Sequence, residues 1–284
     1  MTRLRAKDIR NITTTLKEYD LQLIRKTGGT LKQIACRTVG IDEEEIYRIH
    51  NNPKISIVPI TSGQGIIEGF ALAVESIARH LGFPSSVTQK TDVSGLGEAF
   101  QTGANMIMMA DDHSFLIINL ALKKVVDNAE ATGKGFATAL EMMTKGLSGE
   151  EVLLIGAGRV GRSAALSMVG MGAHLTVYDI DMGRSENLAR GIRDLLKDDV
   201  RVENDLEEAL LRHRIYFDSS PSPKFIHTKH ITSDTFVAAP GVPLGLSPAA
   251  REKASDRLLH DPLQIGVATM IMDAVYGSKE KVLP

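Results

Sequence analysis

The sequence predicts an α/β protein in which an N-terminal helical layer and a small parallel α/β domain precede a C-terminal Rossmann dinucleotide-binding domain. Helical apolar spacing over residues 7–26 predicts the first part, and alternating strand and helix patterns over 55–110 predict the second. A glycine triplet between an apolar strand and a helix predicts the third. The predicted substrate domain covers residues 1–147, with a helical segment over 1–52 and an α/β unit over 53–147, and the dinucleotide-binding domain covers 148–284.

Composition and charge fit this assignment. The 284 residues are 43% apolar and 24% charged, which is typical of a soluble globular chain with room for two domains. A formal net charge of -2 argues against a nucleic-acid partner. No apolar stretch is long enough to cross a bilayer, and the N-terminus lacks a signal-peptide core, so no membrane partner is expected. The single cysteine fits a reducing, cytoplasmic location.

The first half divides into helices and strands by periodicity and breakers. Helices are predicted over 7–26, 30–39 and 42–51. A strand over 55–60, a loop over 61–65 and a helix over 66–82 follow, and then strands over 86–89 and 104–110 flank a helix over 94–102. This order predicts parallel βαβ units. Residues 119–133 give no clear pattern, and a helix is predicted over 136–145.

The second half alternates more clearly. Strands are predicted over 152–155, 174–178, 215–218, 235–238 and 257–260, with helices over 159–170 and 184–196. The role of the segment 198–212 stays open. An apolar helix over 264–276 closes the chain, and such a helix could provide the interface of a homodimer.

The glycine triplet lies in the string Gly156-Ala157-Gly158-Arg159-Val160-Gly161, which matches G-x-G-x-x-G. The pattern alone is weak, but here a strand precedes it, a helix follows, and the next strand ends at an acid. The first glycine permits a tight turn, the second lets the backbone approach a pyrophosphate, and the third lets the helix pack on the strand. The helix N-terminus supplies N–H groups for the phosphates.

The acid is Asp179, about twenty residues beyond the glycines. Its carboxylate is expected to accept the adenosine ribose hydroxyls, with Ile180 beside it, and to repel a ribose phosphate, so the sequence favours NAD over NADP. Arg184 nearby argues the other way. Two further loops follow strands where the nicotinamide half is expected, unless their prolines only stiffen turns. They contain Ser219, Ser220 and Pro221, and Pro240 and Gly241.

The first-domain loops identify a family resemblance. Residues 58–67, 91–95 and 103–112, together with the glycine fingerprint, 240–243 and 261–266, resemble pyrrolysine synthases. The resemblance runs from about residue 54 to 275. The chain departs from the family over 120–134 and 198–212, and at Asp261, where a glutamate is more typical. Neither a hydrolytic motif nor a metal-ligand spacing among the eight histidines is visible, so no metal is expected.

The resemblance implies an NAD-dependent enzyme acting on the isopeptide 3-methyl-D-ornithyl-Nε-L-lysine. The terminal amine of the ornithine part is oxidised to an imine, water releases ammonia, and the semialdehyde closes to the pyrroline ring of pyrrolysine. A substrate with several amines needs carboxylates and oxygen acceptors. The expected substrate contacts are Thr61, Ser62, Gly63, Asp111, Asp112, Asn119 and Asp261.

Several alternatives stay open at this stage. One of the two adjacent aspartates, Asp111 or Asp112, is expected to cap the next helix, and the general base is unassigned. Another NAD-dependent amino-acid or methylene-folate-type dehydrogenase would use a catalytic lysine in the first domain, where Lys90 is the candidate. A non-catalytic NAD sensor would need a partner-binding appendage, and none is visible.

Overall fold

The structure is a computed structural model that describes residues 4–42 and 53–277. The predicted helix over 42–51 lies almost entirely outside these ranges. The N-terminal layer consists of three helices: α1 Ala6–Ile9, α2 Ile12–Thr27 and α3 Leu31–Thr38. Helix α2 ends at Gly28, which takes a left-handed conformation with φ of 80°. Thr30 and Gln33 form a capping box at the start of α3. The predicted helix over 30–39 is therefore confirmed, and the one predicted over 7–26 is observed as two helices, α1 and α2.

The first sheet has five strands in the order β2-β1-β3-β4-β5. Strand β1 pairs in parallel with β2 and with β3, as predicted, and helices α4 and α5 form the crossovers between them. Strands β4 and β5 were not predicted, and they pair antiparallel. The bounds are β1 Ile55–Val58, α4 Phe70–His80, β2 Ser85–Val87, α5 Asp92–Gln101, β3 Met106–Ala110, β4 Phe115–Asn119 and β5 Lys124–Asp127.

The predicted parallel units cover β1, β2 and β3, and the pairing becomes antiparallel at the connection after β3. Ala110 pairs with Phe115, and the backbone N–H of Asp111 donates to the carbonyl of Ser114 at 2.9 Å. Two residues remain to turn the chain, which makes a hairpin. A parallel crossover needs a dozen or more residues.

Helix α6, Asn128–Thr144, joins the two halves of the molecule. It begins well before the predicted residue 136 because Asp127 caps it, accepting the N–H of Ala129 at 2.8 Å. Glycines let α6 approach its neighbours closely. A Cβ at Gly133 would collide with the Val160 carbonyl oxygen.

The second sheet has six parallel strands in the order β11-β10-β9-β6-β7-β8, which confirms the predicted Rossmann domain. The open segment 198–212 supplies the edge strand β8 and helix α9. The bounds are β6 Glu151–Ile155, α7 Arg159–Gly170, β7 His174–Tyr178, α8 Met182–Leu196, β8 Arg201–Val202, α9 Leu206–Arg212, β9 Ile215–Asp218, β10 Phe236–Ala238, α10 Pro248–Lys253 and β11 Leu258–Leu259. Short 3-10 turns occur at Thr228–His230 and Ser255–Arg257.

The closing helix α11, Gln264–Tyr276, lies inside the molecule and not on its surface. Its residues from Gln264 to Met272 are all buried, and it packs against α3, α4 and α6. The expectation that this helix provides a dimer interface is therefore wrong, because its apolar surface is used within the chain. None of the helices in the described ranges is long and apolar enough to cross a membrane.

Candidate active site

A pocket of about 190 Å³ lies between the two sheets. Its walls come from the carboxyl ends of β1 and β3, the start of α7, and the loops that follow β9 and β10. Ligands of open parallel sheets bind at such strand ends. Most of the wall is apolar, and it includes Phe70 and Phe115, whose rings meet edge to face at 5.3 Å. Among the described lining residues, only Asp111 and Asp112 are ionisable.

Asp111 shapes the hairpin between β3 and β4. Its Oδ1 accepts the N–H groups of His113 and Ser114, each at 2.8 Å, and these bonds hold the pKa of the Asp111 carboxyl below its usual range. The alternative role as a helix cap is wrong, since a strand follows and not a helix. No hydrogen bond to Oδ2 occurs within the described ranges.

Asp112 holds the neighbouring loop over 61–65. Its Oδ2 accepts the N–H of Gln64 at 2.7 Å. Gly63 has a φ of 67°, and a Cβ there would collide with the Asp112 carboxylate. Glycine is therefore favoured at position 63 by both its backbone conformation and the position of the Asp112 carboxylate.

Three of the predicted substrate contacts in this loop lie beside the pocket and do not line it. The N–H and the hydroxyl of Thr61 both donate to Asp92, at 2.8 and 2.7 Å. Ser62 is exposed to solvent, and Gly63 faces Asp112. The loop instead contributes Gly65, Ile66 and Ile67 to the wall.

Asn119 and Asp261 have structural partners. The amide of Asn119 donates to the Ala274 carbonyl at 2.9 Å and accepts the N–H of Leu122 at 3.0 Å. Asp261 is buried and accepts the Tyr19 hydroxyl at 2.5 Å and the Leu263 N–H at 2.9 Å. Burial raises the pKa of the Asp261 carboxyl. Neither side chain lines the pocket, so the predicted substrate contacts of Asn119 and Asp261 have no support from its geometry.

The glycine loop leaves space at one position. Gly156 has a φ of 94°, and a Cβ at Gly161 would collide with the Gly156 carbonyl oxygen. A Cβ at Gly158 would meet no other part of the described chain within 4 Å. The space beside Gly158 is therefore unoccupied by the described part of the protein, and it lies directly before the first N–H groups of α7. This arrangement fits a bound pyrophosphate.

The three non-glycine residues of this loop make different contacts in the two halves of the molecule. Ala157 donates its N–H to Asp179, and Val160 lines the pocket. Arg159 pairs with Asp127 at 2.7 Å, which ties the loop to the cap of α6.

Asp179 lies at the end of β7, beside the glycine loop. Its Oδ2 accepts the Ala157 N–H at 2.7 Å, and its Oδ1 accepts the Asp181 N–H at 2.9 Å. Ile180 is 95% exposed at the same edge. Arg184 pairs with Asp181 at 3.3 Å. These two backbone N–H groups therefore hold the Asp179 carboxylate in place beside the glycine loop.

The loops after β9 and β10 reach the pocket, as expected for Ser219, Ser220, Pro240 and Gly241. Pro221 is exposed and does not line it. The Ser219 hydroxyl donates to the Gly156 carbonyl at 2.8 Å. The described residues contain no group of three or more histidine, cysteine or acidic side chains that could hold a metal ion.

Sequence reasoning missed Asp218, the last residue of β9. It is buried, and its Oδ1 accepts both the N–H and the hydroxyl of Ser220, at 3.0 and 2.7 Å. Burial raises the pKa of its carboxyl to about 6. The available signal was an acid that ends an otherwise apolar strand directly before two serines.

Comparisons with known proteins agree with this architecture. Residues 8–126 match the family model described as Pyrrolysine biosynthesis protein PylD, N-terminal domain, and residues 125–233 match Alanine dehydrogenase/PNT, C-terminal domain. Quinate dehydrogenase from Corynebacterium glutamicum in complex with NAD superposes with a TM-score of 0.54 at 18% identity, over 78% of this chain and 92% of that one. Shikimate dehydrogenase from Aquifex aeolicus gives 0.55 at 14%, over 82% and 94%. These structures share the fold.

Two curated relatives match nearly the whole chain. Pyrrolysine synthase of Methanosarcina acetivorans is 33% identical over 95% of this chain and 98% of the relative. The Methanosarcina barkeri protein of the same name is 31% identical over 95% and 97%. Because this identity extends over nearly the full length of both relatives, the chain belongs to the pyrrolysine synthase family.

Proposed function

We propose that this protein oxidises the terminal amine of 3-methyl-D-ornithyl-Nε-L-lysine with NAD, giving a semialdehyde that cyclises to pyrrolysine. The observation that carries the proposal is the pocket between the sheets. On one side it has two carboxylates at the β3–β4 hairpin, and on the other the serine and glycine loops at the dinucleotide edge. An amine substrate and a nicotinamide would meet in that space.

The chain's own groups fit a dinucleotide. The open side of Gly158 and the N-terminus of α7 would hold the pyrophosphate, and Asp179 would accept the ribose hydroxyls. When bound, NAD supplies the hydride acceptor. Because Asp179 is a fixed anion, a phosphate on the ribose would be repelled, which favours NAD over NADP.

The carboxylates fit a cationic substrate. Asp111 stays ionised, since two N–H groups lower the pKa of its carboxyl, and no hydrogen bond occupies its Oδ2 within the described ranges. An ammonium group of the isopeptide would pair with that oxygen. We assign the substrate contact to Asp111, and we assign to Asp112 the positioning of the loop over 61–65.

The rival dehydrogenase mechanism has less support. It needs a lysine beside the reacting carbon, and no lysine occurs among the described lining residues. Lys90 lies in the loop before α5, where its N–H donates to Glu98 at 2.9 Å. Helix α11 and the N-terminal layer pack into the core, so no described element stands apart as the appendage that a sensor would need.

The decisive experiment is incubation of the purified protein with NAD and the isopeptide, following NADH absorbance and product mass together. The expected product lacks two hydrogens and one ammonia relative to the substrate. NADP in place of NAD tests cofactor choice, and Asp111→Asn serves as the matched variant. Turnover of simple amino acids, without any turnover of the isopeptide, would contradict the proposal.

A further inference from the structure

Asp218 is an ionisable group that the proposed function has not yet used. It ends β9 with 0% of its surface exposed. No lysine, arginine or histidine of the described ranges forms an ion pair with it. A buried carboxylate without a cation is costly, so it calls for a specific reason to be there.

The two oxygens of Asp218 have different surroundings. Oδ1 accepts both the N–H and the hydroxyl of Ser220. Oδ2 is buried without a well-formed hydrogen bond, and it lies against the backbone of Gly245. A Cβ at position 245 would collide with this oxygen and with the ring of Phe225. One oxygen therefore faces a hydroxyl of the pocket wall, and the other is enclosed.

Ser220 connects this carboxylate to the pocket. It lines the cavity beside Gly241, and its hydroxyl donates to Asp218 at 2.7 Å. The neighbouring Ser219 differs, because its hydroxyl lies at the carbonyls of Ile155 and Gly156. Of the two serines, Ser220 alone leads to an ionisable group.

Asp111 and Asp218 suit opposite tasks. Hydrogen bonds from His113 and Ser114 lower the pKa of Asp111, which makes it a weak base and a good partner for a cation. Burial raises the pKa of Asp218 to about 6, which is closer to the value that a proton acceptor needs at neutral pH.

We propose that Ser220 and Asp218 form a proton relay that takes the proton from the substrate's ammonium group before oxidation. The ammonium N–H proton passes to Ser220 Oγ while the serine's own proton passes to Asp218 Oδ1. The amine is left neutral with its lone pair, and no electrons are transferred in this step. After the product leaves, the proton returns to solvent by the same route. The relay rests on the proposed amine oxidation.

The test is the pH dependence of kcat for the wild-type protein and three variants. The wild-type kcat is expected to fall below about pH 6, as Asp218 becomes protonated. Asp218→Asn and Ser220→Ala are expected to lose about a hundredfold or more in kcat, the usual contribution of a positioned base. Their residual rate should keep rising with pH above 6, because solvent then removes the proton.

Ser167→Ala is the control, since it removes a hydroxyl that donates to the Ser163 carbonyl within α7 and does not line the pocket. It is expected to keep the wild-type fall of kcat at low pH. Calorimetric titration with NAD gives a second readout, and the relay predicts that the NAD Kd changes far less than kcat in Asp218→Asn and Ser220→Ala.

Each other outcome has a definite meaning. Near-normal kcat in Asp218→Asn with an unaltered pH profile overturns the relay and leaves the proposed function standing. A loss of NAD binding in Ser220→Ala that matches its loss of activity also overturns the relay, because the serine then serves the cofactor. If the wild-type protein does not oxidise the isopeptide, the proposed function fails and the relay fails with it.

Discussion

Replacing Asp218 by asparagine should make the folded protein more stable at neutral pH. The substitution keeps the outline of the side chain and its acceptor for Ser220, and it replaces the charged, enclosed Oδ2 with an amide NH2 group. Burial raises the pKa of Asp218 from 3.8 to about 6. Each pKa unit corresponds to about 1.4 kcal/mol, so the ionised carboxylate costs about 3 kcal/mol of folding free energy.

The sign of the effect follows from the order in which the two states ionise. Well below pH 4, Asp218 is protonated in both the folded and the unfolded chain, so burial of its carboxyl does not lower the stability of the wild-type protein. As the pH rises, the unfolded chain releases the proton first, so the wild-type protein loses stability up to about pH 6. From well below pH 4 up to pH 7, the stability of the variant relative to the wild type therefore rises by about 3 kcal/mol, and above pH 7 it changes little.

Urea unfolding measured by circular dichroism at several pH values tests this directly, since the chain contains no tryptophan. Asp194→Asn, on the exposed side of α8, is the control and should change stability by less than about 0.5 kcal/mol at every pH. If Asp218→Asn has the same pH dependence as the wild-type protein, the pKa of Asp218 does not differ between the folded and the unfolded chain. The argument from burial would then be refuted.

Three further substitutions test the site. Asp179→Asn should weaken NAD binding about tenfold in calorimetry and narrow the gap to NADP, since a charged hydrogen bond contributes about 1.5–3 kcal/mol; unchanged affinity would contradict the assignment. Gly158→Val should abolish NAD binding without lowering the melting temperature, whereas Gly161→Ala should lower it, because its Cβ meets the Gly156 carbonyl. Asp111→Asn should keep its hairpin and its NAD affinity, yet lose about a hundredfold in steady-state turnover, roughly 2.7 kcal/mol; near-normal turnover would place the substrate elsewhere.

The sequence predicts the dinucleotide half well because its signals are local. The glycine spacing, the preceding strand and Asp179 all lie within about thirty residues, and each has one physical interpretation. The hairpin after β3 was missed because Asp111 and Asp112 resemble a helix cap as closely as a turn. A two-residue connection excludes a crossover, but that length is known only once β4 is recognised.

The substrate side was harder to predict because its side chains are held by distant partners. Asp261 is bound by Tyr19, 242 positions away, and Asn119 by Ala274, 155 positions away. A polar side chain without a nearby partner in the sequence can therefore be hydrogen-bonded to distant residues in the folded chain. Asp218 shows the opposite case. It matters because it is buried at the pocket wall, and the sequence around it does not predict that burial.

The close approach of α6 to its neighbours should make the two halves one cooperative folding unit. Gly133 lies against the start of α7, while Gly135 and Gly266 let α6 and α11 meet at Thr269 and Thr132. Cutting the chain near residue 147 would uncover the faces of α7 and α11 that α6 covers, and each fragment would lose part of its core. The intact protein should therefore unfold in a single calorimetric transition, and residues 148–284 expressed alone should not reach a stable fold.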